Sequence, residues 1–283
     1  MATETLTRTP RLGPVFLRSA IGGRAKGETL PDVSLRLAEQ RVDRGDLRTY
    51  QRLCGFAADD TLPHTYPHVL GFPLQMELMS RRGFPLPLVG LVHVENAITV
   101  HRRLTADDVL DITVHAERLA PHPKGRTVDL VTVTEVAGEV VWEGRSTYLA
   151  RGRGDADAPR GEAPPATPTG HPAAVWSLPG DLGRQYARVS GDVNPIHMSA
   201  LTARAMGFPS AIAHGMWTYA RCLGTLGPRA NGPSTSHVWF KKPVLLPGRV
   251  ELVARPTAPG ATAALALRKA RHPEVEHLVL TLD

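Results

Sequence analysis

From Tyr186 to His197 the chain reads TyrAlaArgValSerGlyAspValAsnProIleHis, placing a carboxylate, an amide and an imidazole in one short stretch. A helical period (Leu182, Tyr186, Val189) ends at Gly191, and Pro195 enforces a sharp turn beyond it. Such a turn brings Asp192 and His197 to one side, where a carboxylate and an imidazole can hold a water and exchange its proton. Asn194 does not titrate near neutrality, so its role is to orient the loop or the water. The same residues also suit a plain Asx-turn in which the histidine satisfies backbone groups. A second segment, AlaHisGlyMet at 213–216, opens an apolar helix. The first N–H groups of a helix lack intrahelical acceptors and favour negative charge. Gly215 is therefore a candidate donor to a carbonyl oxygen that becomes enolate-like during proton transfer at its α-carbon. It also suits a crowded helix–sheet contact.

The positioning elements occur twice. In the second half, helical patterns over Asp181–Ser190, Met198–Met206 and Gly215–Leu226 precede strand-like runs at Ser236–Phe240, Val250–Arg255, Thr262–Arg268 and Val275–Leu282. In the first half, Leu47–Leu53 stops at Gly55 and a helix follows near Leu74–Arg81. Strands are then expected at Leu91–Val100, Val109–Glu117, Thr127–Val136 and Val140–Leu149. TyrGlnArgLeuCysGly (50–55) echoes TyrAlaArgValSerGly (186–191), GlyPhePro recurs at 71–73 and 207–209, and HisArgArgLeu (101–104) sits where PheLysLysPro (240–243) lies. A duplicated α+β unit, one long helix with a mostly antiparallel sheet, accounts for these echoes. The Gly/Pro/Ala-rich stretch 151–172 reads as a linker between units 1–150 and 173–283.

Composition removes several function classes. The 283 residues carry 33 Lys+Arg against 27 Asp+Glu, a net charge of +6. Arg outnumbers Lys by 28 to 5, scattered along the chain, and aromatics are only 5%. Nucleic-acid binding needs a clustered basic face with stacking aromatics, so none is expected. A local basic group gripping a phosphorylated small molecule uses the charge better. No apolar run is long enough to span a membrane and no signal-peptide core opens the chain, so a cytoplasmic protein is expected. Cys54 and Cys222 are too few for a disulfide framework and sit among apolar neighbours, as buried thiols do. His64 and His68 have i,i+4 spacing, but the intervening Pro67 argues against a metal-binding helix. GlyArgGly (152–154) lacks the flanking strand and helix of a dinucleotide site, and no Gly-x-Ser-x-Gly elbow occurs.

The run AlaArgValSerGlyAspValAsnProIleHis, then AlaHisGlyMet, then PheLysLysProValLeuLeuProGly (240–248) resembles the MaoC-like (R)-specific enoyl-thioester hydratase/dehydratase family. The resemblance is strong over 182–252 and looser in the first half. It implies a double hotdog, each unit an antiparallel sheet wrapped around a long helix, as in eukaryotic hydratase 2 and actinobacterial 3-hydroxyacyl-thioester dehydratases. It implies reversible hydration of trans-2-enoyl thioesters of CoA or acyl carrier protein, without metal or redox cofactor. Asp192 and His197 match the family's catalytic pair, Asn194 lies in the same motif, and Gly215 matches the oxyanion donor. Ile196 and Phe240 fall at substrate-binding positions. ValHisValGluAsn (92–96) makes His93 a substrate contact, and Lys124 sits near a CoA-contacting lysine. Leu223 departs from some single-domain members, which carry a serine there. Two fused hotdogs can form as a monomer the pseudo-dimer that single ones reach by pairing, so monomer and homodimer both stay open, with the homodimer preferred. Other hotdog proteins hydrolyse thioesters, and a carrier that binds acyl thioesters without turnover is a third reading.

By the same resemblance the first half is chemically silent. Phe56 takes the place of Asp192, no His–Asn pair follows, and Phe72-Pro73 is expected opposite His214-Gly215. A proline there has no N–H to donate.

Overall fold

The computed structural model describes the chain except residues 22–27, 89, 160 and 256–261. The elements run β1 (Ala2–Leu6), α1 (Leu12–Ile21), β2 (Val33–Arg41), α2 (Arg44–Cys54), α3 (Tyr66–Ser80), β3 (Leu91–Val100), β4 (Val109–His122), β5 (Gly125–Val136) and β6 (Glu139–Arg151). The second half runs β7 (Ala174–Leu178), α4 (Leu182–Ser190), α5 (Pro195–Met198), α6 (Ala200–Ala205), α7 (Gly215–Gly224), β8 (Ser234–Phe240), β9 (Gly248–Arg255), β10 (Ala263–Lys269) and β11 (His272–Leu282). All strands join one eleven-stranded sheet in the order β1-β2-β4-β5-β6-β3-β8-β11-β10-β9-β7. Among the described residues only the β1–β2 pair is parallel. The fold is α+β, a double hotdog.

The halves meet where β3 pairs antiparallel with β8. Ala97 lies opposite His237, with Glu95 facing Trp239 and Thr99 facing Thr235 on either side. A local two-fold axis therefore passes between Ala97 and His237. Beyond β3, His101 N–H donates to the Val141 carbonyl, as Lys241 does to that of His277 beyond β8. Leu62 bonds Leu104 as Ala213 bonds Val244, and the bridge Thr61–Thr105 repeats as Ile212–Leu245. The equivalence places His101 on Lys241, one residue away from the expected alignment of HisArgArgLeu with PheLysLysPro. Tyr50 and Tyr186, the leading residues of the echoed hexapeptides, pack 6.1 Å apart in the core.

Both hexapeptide helices end alike. Gly55 (φ 78°) and Gly191 (φ 71°) adopt the left-handed conformation that closes α2 and α4. The strands expected from periodicity are present with ends shifted by a few residues, whereas β1, α1, β2 and β7 were not anticipated. The edge strands β1 and β7 have five residues each, too short for an alternating signal to stand out.

The helix near Leu74–Arg81 begins earlier, at Tyr66. Pro67 lies in its first turn, where the missing N–H costs nothing, and Pro73 is accommodated inside. Twelve of its fifteen residues are buried, so no amphipathic period marked its first half. GlyPhePro is consequently not a structural repeat: residues 71–73 lie within α3, and 207–209 in the loop after α6.

Candidate active site

The segment after Gly191 is built by local hydrogen bonds. Asp192 N–H donates to Ser190 Oγ (3.2 Å), and Asp192 Oδ1 accepts from Asn194 N–H (3.1 Å). Asn194 Oδ1 accepts from Ile196 N–H (3.3 Å) and so caps α5. The Asx-turn weighed above is thus present, and it leaves Asp192 Oδ2 outside the turn's bonding. His197 is buried, and its Nδ1 lies 2.8 Å from the Ile212 carbonyl oxygen. A carbonyl only accepts, so Nδ1 carries the proton and Nε2 keeps its lone pair. Gly183 permits this packing: a Cβ there would fall 2.0 Å from the His197 carbonyl oxygen.

Gly215 opens α7, so its N–H precedes the first intrahelical acceptor. A Cβ on Gly215 would lie 3.2–3.4 Å from the Phe240 ring, so the missing side chain also leaves that ring its place. Gly215 thus combines an N–H free of an intrahelical acceptor with a crowded contact to Phe240.

Burial, opposed by the nearby His197 charge and the Asn194 N–H, raises the Asp192 pKa above the usual carboxylate range. Burial lowers that of His197 despite Asp192 and the bond to Ile212. An ionised Asp192 and an Nδ1-protonated His197 each offer an acceptor, and the two side chains come within 4.8 Å of each other. Two acceptors facing each other can share the two hydrogens of one water.

These groups line a cavity of about 400 Å³ that draws walls from both halves. The eight candidate residues all border it: Asp192, Asn194, Ile196, His197, Gly215, Phe240, His93 and Lys124. His93 comes from β3, stacks 4.6 Å from Tyr148 and lies 5.1 Å from Phe240. Burial, with His68 adding to it, pushes its pKa down to about 3, so it faces the cavity uncharged. Lys124 is exposed in the β4–β5 turn, at a rim shared with Arg151, Lys241 and Lys242. Phe16, Val69, Phe72, Met76, Met79 and Leu88 give the cavity an apolar part of its lining.

Sequence reasoning missed several of these groups. Phe16 lies on the unanticipated α1, and Tyr148 looked like an ordinary strand residue. His214 was quoted in AlaHisGlyMet but given no role. Its Nε2 lies 3.0 Å from the Asp192 carbonyl oxygen, and its ring stacks on His197 with centroids 3.7 Å apart. Asp192, His197 and His214 form a set whose ligand atoms approach one another closely enough for a cation. His214 Nε2 is held by a backbone carbonyl and could serve as a ligand only by breaking that bond.

Residues 163–259 match the MaoC like domain family model. The chain is 35% identical to the 3-hydroxyacyl-thioester dehydratase X of Mycobacterium tuberculosis over 84% of this chain and 86% of that protein. It belongs to the MaoC-like dehydratase family. A crystal structure of HtdX from Mycobacterium tuberculosis superposes with a TM-score of 0.76 at 35% identity, covering 87% of this chain and 98% of that one. A MaoC-like dehydratase from Phytophthora capsici shares the fold at 17% identity, with a TM-score of 0.71 over 89% of this chain and 95% of that one.

Among the described residues, the first half of this MaoC-like chain shows no counterpart of the turn from Asp192 to His197. Its helix entrance is not Phe72-Pro73, which lies inside α3; by the equivalence of Thr61 with Ile212, Pro63-His64 stands opposite His214-Gly215. His64 is buried with Nε2 2.5 Å from Ser236 Oγ, and its carbonyl accepts from Trp142 Nε1 (2.9 Å). A packed imidazole thus fills the space where Gly215 leaves room.

Proposed function

We propose that this chain interconverts trans-2-enoyl and (3R)-3-hydroxyacyl thioesters by reversible addition of water. The observation that carries the reading is the Asp192 carboxylate and the His197 imidazole, whose polar atoms come within 4.8 Å of each other in one cavity with Gly215. In hydration the pair holds a water and takes one of its protons while the oxygen bonds the β-carbon. The displaced electron pair moves to the thioester oxygen, where the Gly215 N–H stabilises the enolate. Delivery of the proton to the α-carbon completes the addition, and dehydration runs the same steps backwards. The thioester supplies the acidity of the α-proton, so these residues need no cofactor to move it.

Asn194 shapes the turn that holds Asp192, while Ile196, Phe240 and His93 border the reacting atoms. The apolar part of the lining takes the acyl chain, so unit 1–150 accommodates substrate and unit 173–283 carries the chemistry. Lys124 and its basic neighbours suit the phosphates of CoA or of a carrier protein's phosphopantetheine. A cytoplasmic homodimer belongs to the same reading, and sedimentation tests the assembly.

The test is absorbance at the enoyl-thioester band with crotonyl-CoA and longer enoyl-CoA substrates. Loss of the conjugated band without free thiol is the expected result. Released thiol would mean hydrolysis, and binding without spectral change would mean a carrier.

A further inference from the structure

His214 touches each part of the proposed site. It is the N-cap of α7, immediately before Gly215. Its Nε2 lies 3.0 Å from the carbonyl oxygen of Asp192 and 3.6 Å from Asp192 Oδ2, the latter too long for a hydrogen bond. Its ring stacks on His197 at 3.7 Å and 25°, and the tilted Tyr186 ring lies 4.9 Å away.

We propose that His214 is a positioning residue that sets the distance and orientation between Asp192 and His197, with the chain tied at the first and the ring stacked on the second. The proposal rests on the dehydratase reading given above. Because a backbone carbonyl only accepts, Nε2 must carry the ring proton. Nδ1 is then a lone pair, and it is buried without a hydrogen-bond partner. A second proton on Nδ1 would be buried and unpaired, which is costly. Burial and the neighbouring His197 accordingly push the His214 pKa far down. The two stacked rings therefore hold opposite tautomers, His197 protonated on Nδ1 and His214 on Nε2. His214 thus stays out of the proton transfer. It is a neutral ring beside an imidazole that accepts a proton, and it anchors the backbone bearing the carboxylate.

Two variants separate the tether from the stack. His214→Phe keeps an aromatic ring and loses the donor; His214→Gln keeps an amide N–H at a similar reach and loses the ring. Small displacements of reacting groups cost up to about 10²-fold in rate. For His214→Phe, kcat should fall roughly 10- to 100-fold with KM within about twofold. His214→Gln, which keeps the tether and loses the stack, should lose less than His214→Phe, its remaining deficit reporting the stack. Nearly unchanged kcat in His214→Phe, equal losses in both variants, or a loss that appears in KM would overturn the proposal.

The wild-type enzyme supplies a measurement independent of turnover and of how the variants fold. Nitrogen-15 shifts should report His214 as neutral and Nε2-protonated from about pH 5 to 8, where an ordinary imidazole titrates. A His214 ring that titrates in that window, or carries its proton on Nδ1, overturns the proposal. A wild type that hydrates no enoyl thioester instead sinks the function proposed above, while the ring's tautomer still decides the role of His214.

Discussion

After Gly55 the chain runs directly to the bridge at Thr61, whereas after Gly191 it makes α5 and α6 before the equivalent bridge at Ile212. The scaffolds agree on both sides of this difference: the same left-handed glycine cap, the same bridge, and strands related by the axis through Ala97 and His237. What the first half lacks is the segment that carries Asn194, Ile196 and His197. At the entrance to its long helix, an imidazole packed on Ser236 replaces the glycine. The two halves thus differ by a short insertion and one small residue, the parts to which the proposed chemistry is assigned. Relieved of both, the first half can supply apolar wall and the stacked pair His93–Tyr148 to the other half's cavity.

The contrast breaks most directly at the acid–base pair. Asp192→Asn and His197→Ala should each lower turnover by roughly 10²–10⁴-fold, with much smaller changes in substrate affinity. Adding Phe56→Asp to Asp192→Asn should restore nothing, because no His197 equivalent reaches that side. Steady-state kinetics on folded variants checks both, and near wild-type turnover in either single variant would remove the mechanism.

At the helix entrance, Gly215→Pro removes the N–H while proline suits a first helical position. Losing one such donor typically costs about 10²–10³-fold. Gly215→Ala is the control, since it presses the same Cβ against Phe240 but keeps the N–H. Equal rates in the two variants would show that crowding, and not the donor, sets the loss.

The first half should also respond to acid through stability. Burial holds His64 at about 3 and His68 at about 4, and His93 is likewise low at about 3. An unfolded chain binds these protons near the ordinary value of about 6.5. Between that value and the folded ones the unfolded state holds more protons, so stability is present above about pH 6.5 and is lost as the pH falls. At pH 5.5 each ring should cost about 1–2 kcal/mol. Denaturant melts of wild type and His68→Gln at pH 7.5 and 5.5 measure this, and a variant with the same acid sensitivity as wild type would refute it for His68.

The smallest effect concerns the rim. Lys124→Ala should raise KM for CoA substrates roughly two- to fivefold, the range for an exposed charge, with kcat unchanged. Added salt should bring wild type toward the variant. An unchanged KM would make Lys124 an ordinary turn residue.

The turn from Gly191 to His197 was legible in sequence because its bonds are local. Gly191 must take a positive φ, Asp192 and Asn194 cap backbone N–H groups two residues on, and Pro195 starts α5. The period along β4 was legible because a buried and a more exposed face alternate there, whereas β5, β9 and β11 were legible as short apolar runs buried on both faces. The length of α3 was not, since a helix buried all round shows no stripe.

The sequence by itself determined the duplicated α+β plan, the acid–base turn and the glycine at a helix entrance, all written in neighbouring residues. Only the tertiary structure decided which residues of the halves correspond. Partners across the β3–β8 seam are set by register between distant strands, and no local pattern encodes that. Tertiary structure likewise stacked His214 on His197 and put His64 opposite Gly215. It also gave the apolar part of the cavity lining to helices of the other half. Contacts between residues far apart in the chain arise from packing a common core, and they fix the distances on which the chemistry depends.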